Sequence, residues 1–323
     1  MRWLCVIALA LAVSACGDEV AGERTKLTVG VVPIADVAPV QLGIDKGFFA
    51  DEGLDVELLT GQGGAAIVPQ VVSGDVQVGF SSTPTLLAAA TAGLPIEIVA
   101  PAVGSPPRKA GHGENVEGAL MVPKGSPIRG YADLAGGTVA VNALGNVIDV
   151  TLNAALERHG VDRTSVERLE VPFPDMLAAL DAGRVDAAFL ATPFKTIAEQ
   201  SGKYRAVGFS IYEARPELIH TTYFVSREWA DGNEQVLERF LAALRRSMLY
   251  AAGHERETRE ALGALVELPD GVIDALPPIN RRPDCEELEV SSALMARLMV
   301  EYGALERAPD LDALIRPGFC DGP

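Results

Sequence analysis

The chain has 323 residues, with 44 acidic against 27 basic side chains and a formal net charge of −17, and Lys and Arg never form a run. That length accommodates two lobes, each with a core of its own. Non-specific nucleic-acid binding needs a cationic surface, so that class is disfavoured, and the acidity reads as a solubility feature.

The N-terminus, Met1-Arg2-Trp3 followed by the apolar run Leu4 to Val13 and then Ser14-Ala15-Cys16, has the charge and hydropathy of a secretory signal over residues 1–15. The run is too short to span a bilayer, which needs about 20 apolar residues. Val13-Ser14-Ala15-Cys16 resembles a lipobox, which implies lipidation of Cys16 and cleavage before it. The polar, small residues that follow, to 26, read as a tether. Removal of the signal takes Cys5 and leaves Cys285 and Cys320 besides the anchor. In an exported chain that pair reads as a disulfide, closing a loop of about 35 residues and stabilising by roughly 3–4 kcal/mol.

From Leu27 the pattern alternates strand and helix: strands at Leu27–Val32, Asp55–Leu59, Val76–Phe80 and Ile96–Ala100, with helices at Ala38–Ala50, Ala65–Ser73 and Pro84–Ala92 between them. Alternation at this spacing predicts a parallel sheet covered by helices on both faces. A Gly- and Pro-rich stretch, Gly104 to Gly118, marks a lobe boundary. A second set follows: strands at Ala119–Val122, Thr138–Asn142, Val166–Val171, Val185–Leu190 and Ala206–Ser210, with helices at Val147–His159, Pro174–Ala182 and Pro193–Gln200. The apolar strand Thr221–Val225 precedes a helical region (Glu234–Ala252, Glu286–Tyr302, Asp310–Leu314) with no third sheet to join. It is therefore expected to cross back to the first lobe, giving lobes of 27–118 plus 222–323 and of 119–221.

The two sets carry one segment twice. Gln70–Pro84 lies over Ala179–Pro193 at a constant offset, and Gly74/Gly183, Val76/Val185, Phe80/Phe189, Thr83/Thr192 and Pro84/Pro193 recur in step. Each copy reads as a helix end, a left-handed Gly, a short apolar strand and a Thr-Pro helix start, with Thr as the N-cap. Two such strand ends facing one another would form a cleft.

The segment Gly43-Ile44-Asp45-Lys46-Gly47-Phe48-Phe49-Ala50-Asp51-Glu52-Gly53-Leu54-Asp55-Val56, with Tyr131–Ala140 and Asp175–Phe194, resembles the nitrate, sulfonate, taurine and thiamine-precursor solute-binding proteins of ABC importers. The resemblance is collinear over nearly all of the mature chain. It implies an α/β fold of the periplasmic-binding-protein type II, two doubly wound lobes on a two-strand hinge that close on a small molecule. It further implies a monomer, bound to the membrane only through its lipid, that delivers the solute to an ABC permease without cofactor or catalysis.

Ligands of open α/β sheets bind beyond the carboxyl ends of strands. That rule selects Asp36, Gln62, Gly63, Ser81, Ser82 and Thr83 in the first lobe, and Asn142, Gly145, Asn146, Thr192 and Phe194 in the second. Tyr223, near the second crossing, is added to the set. Each has a plainer reading: Ser82, Thr83, Asn146 and Thr192 as helix caps, Asp36 as a turn former, Phe194 as core, and Gln62-Gly63-Gly64 as a flexible turn. Amide-rich helix starts suit an anion. Yet no Lys or Arg falls in these loops, the nearest being Lys195, and Asp36 repels anions, so neutral, cationic and anionic ligands stay level. Where family members use a Glu before Pro-Phe, this chain has Thr192.

Two alternatives remain open: a lipoprotein sensor reporting to a membrane kinase, and an enzyme of the same fold, of the thiamine-pyrimidine or menaquinone type. The cysteine-rich cluster of the former enzymes is missing, and the four His residues (His112, His159, His220, His254) have no metal-binding spacing. His220 and Tyr223 form the one pair worth testing as catalytic.

Overall fold

The computed structural model describes residues 24–107, 116, 118–279 and 285–319. The described strands are β1 (Thr25–Val31), β2 (Leu54–Thr60), β3 (Val78–Ser82), β4 (Ile96–Pro101), β5 (Gly118–Pro123), β6 (Thr138–Val141), β7 (Glu167–Glu170), β8 (Ala187–Ala191), β9 (Tyr204–Gly208) and β10 (Thr221–Ser226). They form two five-stranded sheets, in the orders β2-β1-β3-β10-β4 and β7-β6-β8-β5-β9. In the first, β10 lies antiparallel between β3 and β4; in the second, β5 lies antiparallel between β8 and β9. Each sheet thus takes its one antiparallel strand from a crossing of the chain, and the two halves share one topology.

The internal repeat is visible in the backbone. Gly74 (φ +84°) and Gly183 (φ +65°) both take the left-handed region, where a side chain is strained. Their amides close the preceding helices, Gly74 onto Val71 O at 3.2 Å and Gly183 onto Leu180 O at 3.0 Å. The central strands are apolar on both faces, as a helix-covered sheet requires: Val29, Val31, Val78 and Phe80 in one, Val139, Val141 and Ala187 to Leu190 in the other, all buried. Burial of each larger side chain is worth roughly 1.5–3 kcal/mol, and the buried residues of the two sheets join in one continuous core.

The two crossings run antiparallel as a ribbon. Ala102 N donates to Thr221 O (2.9 Å), His220 N to Val103 O (3.3 Å) and Ser105 N to Leu218 O (2.9 Å). The helix Cys285–Glu301 braces that ribbon, since buried Ser291 Oγ accepts from Ile219 N at 2.9 Å and Glu287 pairs with Arg215 at 2.7 Å. This is the two-strand hinge expected from the sequence, and the cross-back of Thr221–Ser226 is explicit in the β3–β10–β4 ladder.

Several boundaries move, each for a hydrogen-bonding reason. Thr25 and Lys26, expected in the tether, open β1 and pair with Leu54 and Asp55. Strand β3 runs to Ser82 rather than Phe80 because β10 supplies partners, Thr222 to Ser81 and Thr221 to Ser82. Likewise β8 reaches Ala191 because Gly118 of β5 pairs with it. The expected helix Ala38–Ala50 is two, Ala38–Asp45 and Phe48–Asp51, broken at Gly47 with φ +75°. The signal, Cys16 and Cys320 lie outside the described residues; Cys285 is disulfide-bonded.

Candidate functional site

Between the two sheets, beyond the carboxyl ends of β1, β3, β6 and β8, lies a cleft with about 710 Å³ of empty space, part of it continuous with solvent. The first lobe contributes Val32, Ile34, Asp36, Gly64, Phe80 and Ser82 to its walls, and the second Asn142, Asn146, Val147, Ile148, Phe173, Phe189 and Ala191. The hinge and the residues beside it add Ser105, Val116, Gly118, Ile211, Tyr212, His220 and Thr221. The lobes touch beside the cleft, where Ala35 N donates to Thr192 O at 2.9 Å. A Cβ on Gly63 would sit 3.4 Å from Ala143 Cβ and 3.5 Å from Asn142 Nδ2.

Local sequence explains how the polar walls are held. Asn146 caps the helix Val147–Arg158, accepting from Asp149 N at 3.1 Å, and its amide donates to Asn142 Oδ1 at 2.8 Å. The pair fixes two carboxamides at a helix N-terminus facing the cleft. Across from them the helix Gly64–Ser73 starts directly against β3: a Cβ on Gly64 would come within 2.6 Å of Ser81 Cβ, so only glycine permits the approach.

Asp36 sits in the single turn Ala35–Val37, 4% exposed, with Oδ2 accepting from Thr221 Oγ1 at 2.9 Å. His220 Nδ1 is 3.8 Å from the same oxygen, beyond hydrogen-bond length. Burial pushes the carboxyl up to about 6, against the opposing pull of the Thr221 hydroxyl and of its own backbone amide. Tyr223 lies behind it, fully buried and edge-on to Phe80 at 5.7 Å. Desolvation first, and the charge of Asp36 second, hold its hydroxyl well above the ordinary tyrosine value.

Of the residues selected from the sequence, Asp36, Ser82, Asn142 and Asn146 line the cleft. The others fall elsewhere. Gln62 is exposed, and Gly63 sits where the lobes touch. Ser81 belongs to β3, buried behind Gly64. Thr83 is the first residue of the helix Thr83–Thr91, fully buried, its hydroxyl without a hydrogen-bond partner among the described residues. Gly145 takes φ +67° and its amide donates to Asp149 Oδ2 at 2.9 Å, which shapes the cap. Thr192 is buried, with its carbonyl bound by Ala35; the next helix starts at Phe194, so neither Thr-Pro copy uses Thr as the N-cap. Phe194 stacks on Phe173 at 5.9 Å and so supports a cleft ring instead of lining the cleft itself. Tyr223 is core beneath the site.

The strand-end rule missed Phe80, Phe173, Phe189, Tyr212, His220 and Thr221. The repeat held a signal for two of them, because Phe80 and Phe189 are the phenylalanines that recur in step.

Among the described residues lining the cleft there is one carboxylate and no Lys or Arg. Lys195, 1% exposed, is paired with Glu199 at 2.9 Å and is not part of the wall. A charge about 5 Å from Asp36 feels roughly 3 kcal/mol at an effective dielectric of 20. A helix N-terminus contributes about 0.3–1 kcal/mol to an anion at an exposed site and up to about 2 kcal/mol where it is partly buried. The carboxylate therefore outweighs either the Gly64 or the Asn146 helix start. No group of three or more His, Cys, Asp or Glu suited to a metal occurs among the described residues, and no helix among them is long and apolar enough to cross a membrane.

Residues 34–258 match the family described as NMT1/THI5 like. The chain belongs to that family. This NMT1/THI5-like protein is 27% identical over 261 residues to the taurine-binding periplasmic protein of Escherichia coli K12, covering 79% of this chain and 77% of that one. In fold it is similar to the alkanesulfonate-binding protein SsuA of Xanthomonas axonopodis pv. citri bound to MOPS, with a TM-score of 0.75 at 17% identity over 92% of this chain and 99% of that one. It is also similar to the desulfurization enzyme DSZB, with a TM-score of 0.67 at 19% identity over 92% and 97%. At these identities the two structures establish the type II fold, which serves binding proteins and an enzyme alike, and leave chemistry to the site.

Proposed function

We propose that the protein is the extracytoplasmic solute-binding subunit of an ABC importer, capturing one small molecule between its lobes and presenting the closed form to a permease. The observation that carries this is the cleft itself, walled by both lobes and by the ribbon that joins them. A solute touching both walls binds the closed form better than the open one, and that difference in affinity is the whole of the signal. The family and the taurine-binding relative support the same reading. In this proposal residues 27–118 with 222–323 form one lobe, 119–221 form the other, and a lipid on Cys16 tethers a monomer to the outer face of the membrane.

The test is a thermal-shift screen over sulfonates, nitrate, aromatic acids, amines and pyrimidines, followed by small-angle scattering with any stabiliser found. A solute at a hundred times its dissociation constant adds about 2.7 kcal/mol to stability. The expected result is a rise in melting temperature together with a smaller radius of gyration. A screen without a stabiliser, or stabilisation without compaction, refutes the proposal.

A further inference from the structure

We infer that Asp36 selects the solute: the cleft takes a small molecule whose protonated amine or amidine head group sets against this carboxylate, with an apolar body held between Phe80, Phe173 and Phe189. The inference rests on the cleft being the solute site proposed above and names the class of solute. Three features of the wall carry it.

The first is the carboxylate's position. Asp36 lines the cavity while 96% of its surface is withdrawn from solvent, given its 4% exposure. A carboxylate offers roughly four acceptor positions, and among the described residues the side-chain donor bound to it is Thr221 Oγ1. The remaining capacity suits a donor that arrives with charge, because charge-assisted hydrogen bonds are about twice as strong as neutral ones. The second is the composition of the opposite walls: the described lining holds no cation to pair an anionic head, and Lys195 is already paired with Glu199. The third is the placement of the rings. Phe80 comes from β3, Phe189 from β8 and Phe173 from the turn before the helix Met176–Asp181, so an apolar body among them touches both lobes and favours closure.

The titratable groups facing Asp36 are His220, 3.8 Å away, and the buried Tyr223, whose hydroxyl feels its charge; Tyr212 also lines the cleft. The acid form of Asp36 cannot pair with a cation, and with its carboxyl pushed up to about 6 the ionised fraction falls about tenfold between pH 7.5 and pH 5.

The test is titration calorimetry with four probes, benzamidine as the cation, benzyl alcohol as a neutral molecule with the same ring, and benzenesulfonate and nitrate as anions. Each is titrated into wild-type protein and into Asp36→Asn. Benzamidine is expected to bind wild type more tightly than the other three do, to bind Asp36→Asn at least about tenfold more weakly, and to lose about tenfold in affinity at pH 5. Repeating the pH pair in His220→Gln assigns that loss to the carboxylate if it persists. The unliganded Asp36→Asn protein is melted alongside, and a cooperative transition no lower than that of wild type excludes misfolding. Tighter binding of benzenesulfonate or nitrate, or equal binding of benzamidine to both proteins, overturns the inference and leaves solute capture standing. Absence of benzamidine binding does the same when the broader screen finds another stabiliser, whereas a screen with no stabiliser removes the function itself.

Discussion

The buried carboxylate makes a thermodynamic prediction that needs no ligand. Asp36 titrates at about 6 when folded against an ordinary value of 3.8. At about 1.36 kcal/mol per unit the difference amounts to about 3 kcal/mol. The folded-state value is raised, so below pH 3.8 both states are protonated and no penalty exists. As pH rises past 3.8 the unfolded chain releases its proton first and is favoured, and above pH 6 the full penalty applies. Asp36→Asn keeps the size of the side chain and an acceptor for the Thr221 hydroxyl without the charge. The variant is therefore expected to exceed wild type by up to about 3 kcal/mol at pH 7.5, a rise of about 4–8 °C in melting temperature for a chain of this size, and to converge on it near pH 4. The assay is thermal unfolding followed by circular dichroism at both pH values, repeated in a His220→Gln background because that ring faces the same oxygen. Equal or lower stability of Asp36→Asn at pH 7.5, with no convergence on acidification, would show that the buried Asp36 carboxylate carries no such penalty.

Other perturbations test the scaffold around the cleft. Asn146→Ala removes the cap and the tie to Asn142, and should cost about 1 kcal/mol in urea unfolding while weakening any cleft ligand found by calorimetry. Gly43→Ala would place a methyl group on the Ser247 hydroxyl and 2.9 Å from Phe49 Cε2, so chemical unfolding should register a loss of about 1–3 kcal/mol. Ser291→Ala strips the acceptor from the buried Ile219 amide of the hinge; a loss of about 1–3 kcal/mol is expected, with faster amide exchange in residues 217–221. Alkylation of the unreduced, denatured mature chain should label neither Cys285 nor Cys320, and labelling of either refutes that pairing.

Much of the architecture was legible in the sequence because its cause is local. Strands such as Val78–Ser82 and Ala187–Ala191 are short apolar runs behind a glycine that can take positive φ, and that pattern survives translation from residues to backbone. The return of Thr221–Ser226 to the first sheet was legible by elimination, since an apolar strand must pair somewhere. The site was legible where a loop or the last residue of a strand builds it, as at Ser82. Asp36, Asn142 and Asn146 lie in the turns that the strand-end rule selects. Phe80, Phe189 and Thr221 lie within strands, and which of their faces meets the cleft depends on how the lobes pack. Thr83 and Thr192 follow the strands as the rule requires, yet both are buried, Thr83 with its amide bound to His220 O and Thr192 with its carbonyl bound by Ala35 of the other lobe. Tyr223 was selected for its place beside the hinge, and the pleat turned it inward against Phe80.

Capture by the two lobes of one small molecule beside Asp36 is the step on which the proposed function rests. Native mass spectrometry of the mature chain, after incubation with an extract of polar small molecules and removal of the unbound fraction, measures this directly. A single adduct of one small molecule per chain is expected, diminished in Asp36→Asn. The mass of the bare chain alone would contradict capture, whereas an adduct that Asp36→Asn retains in full would overturn selection by Asp36 and leave capture standing.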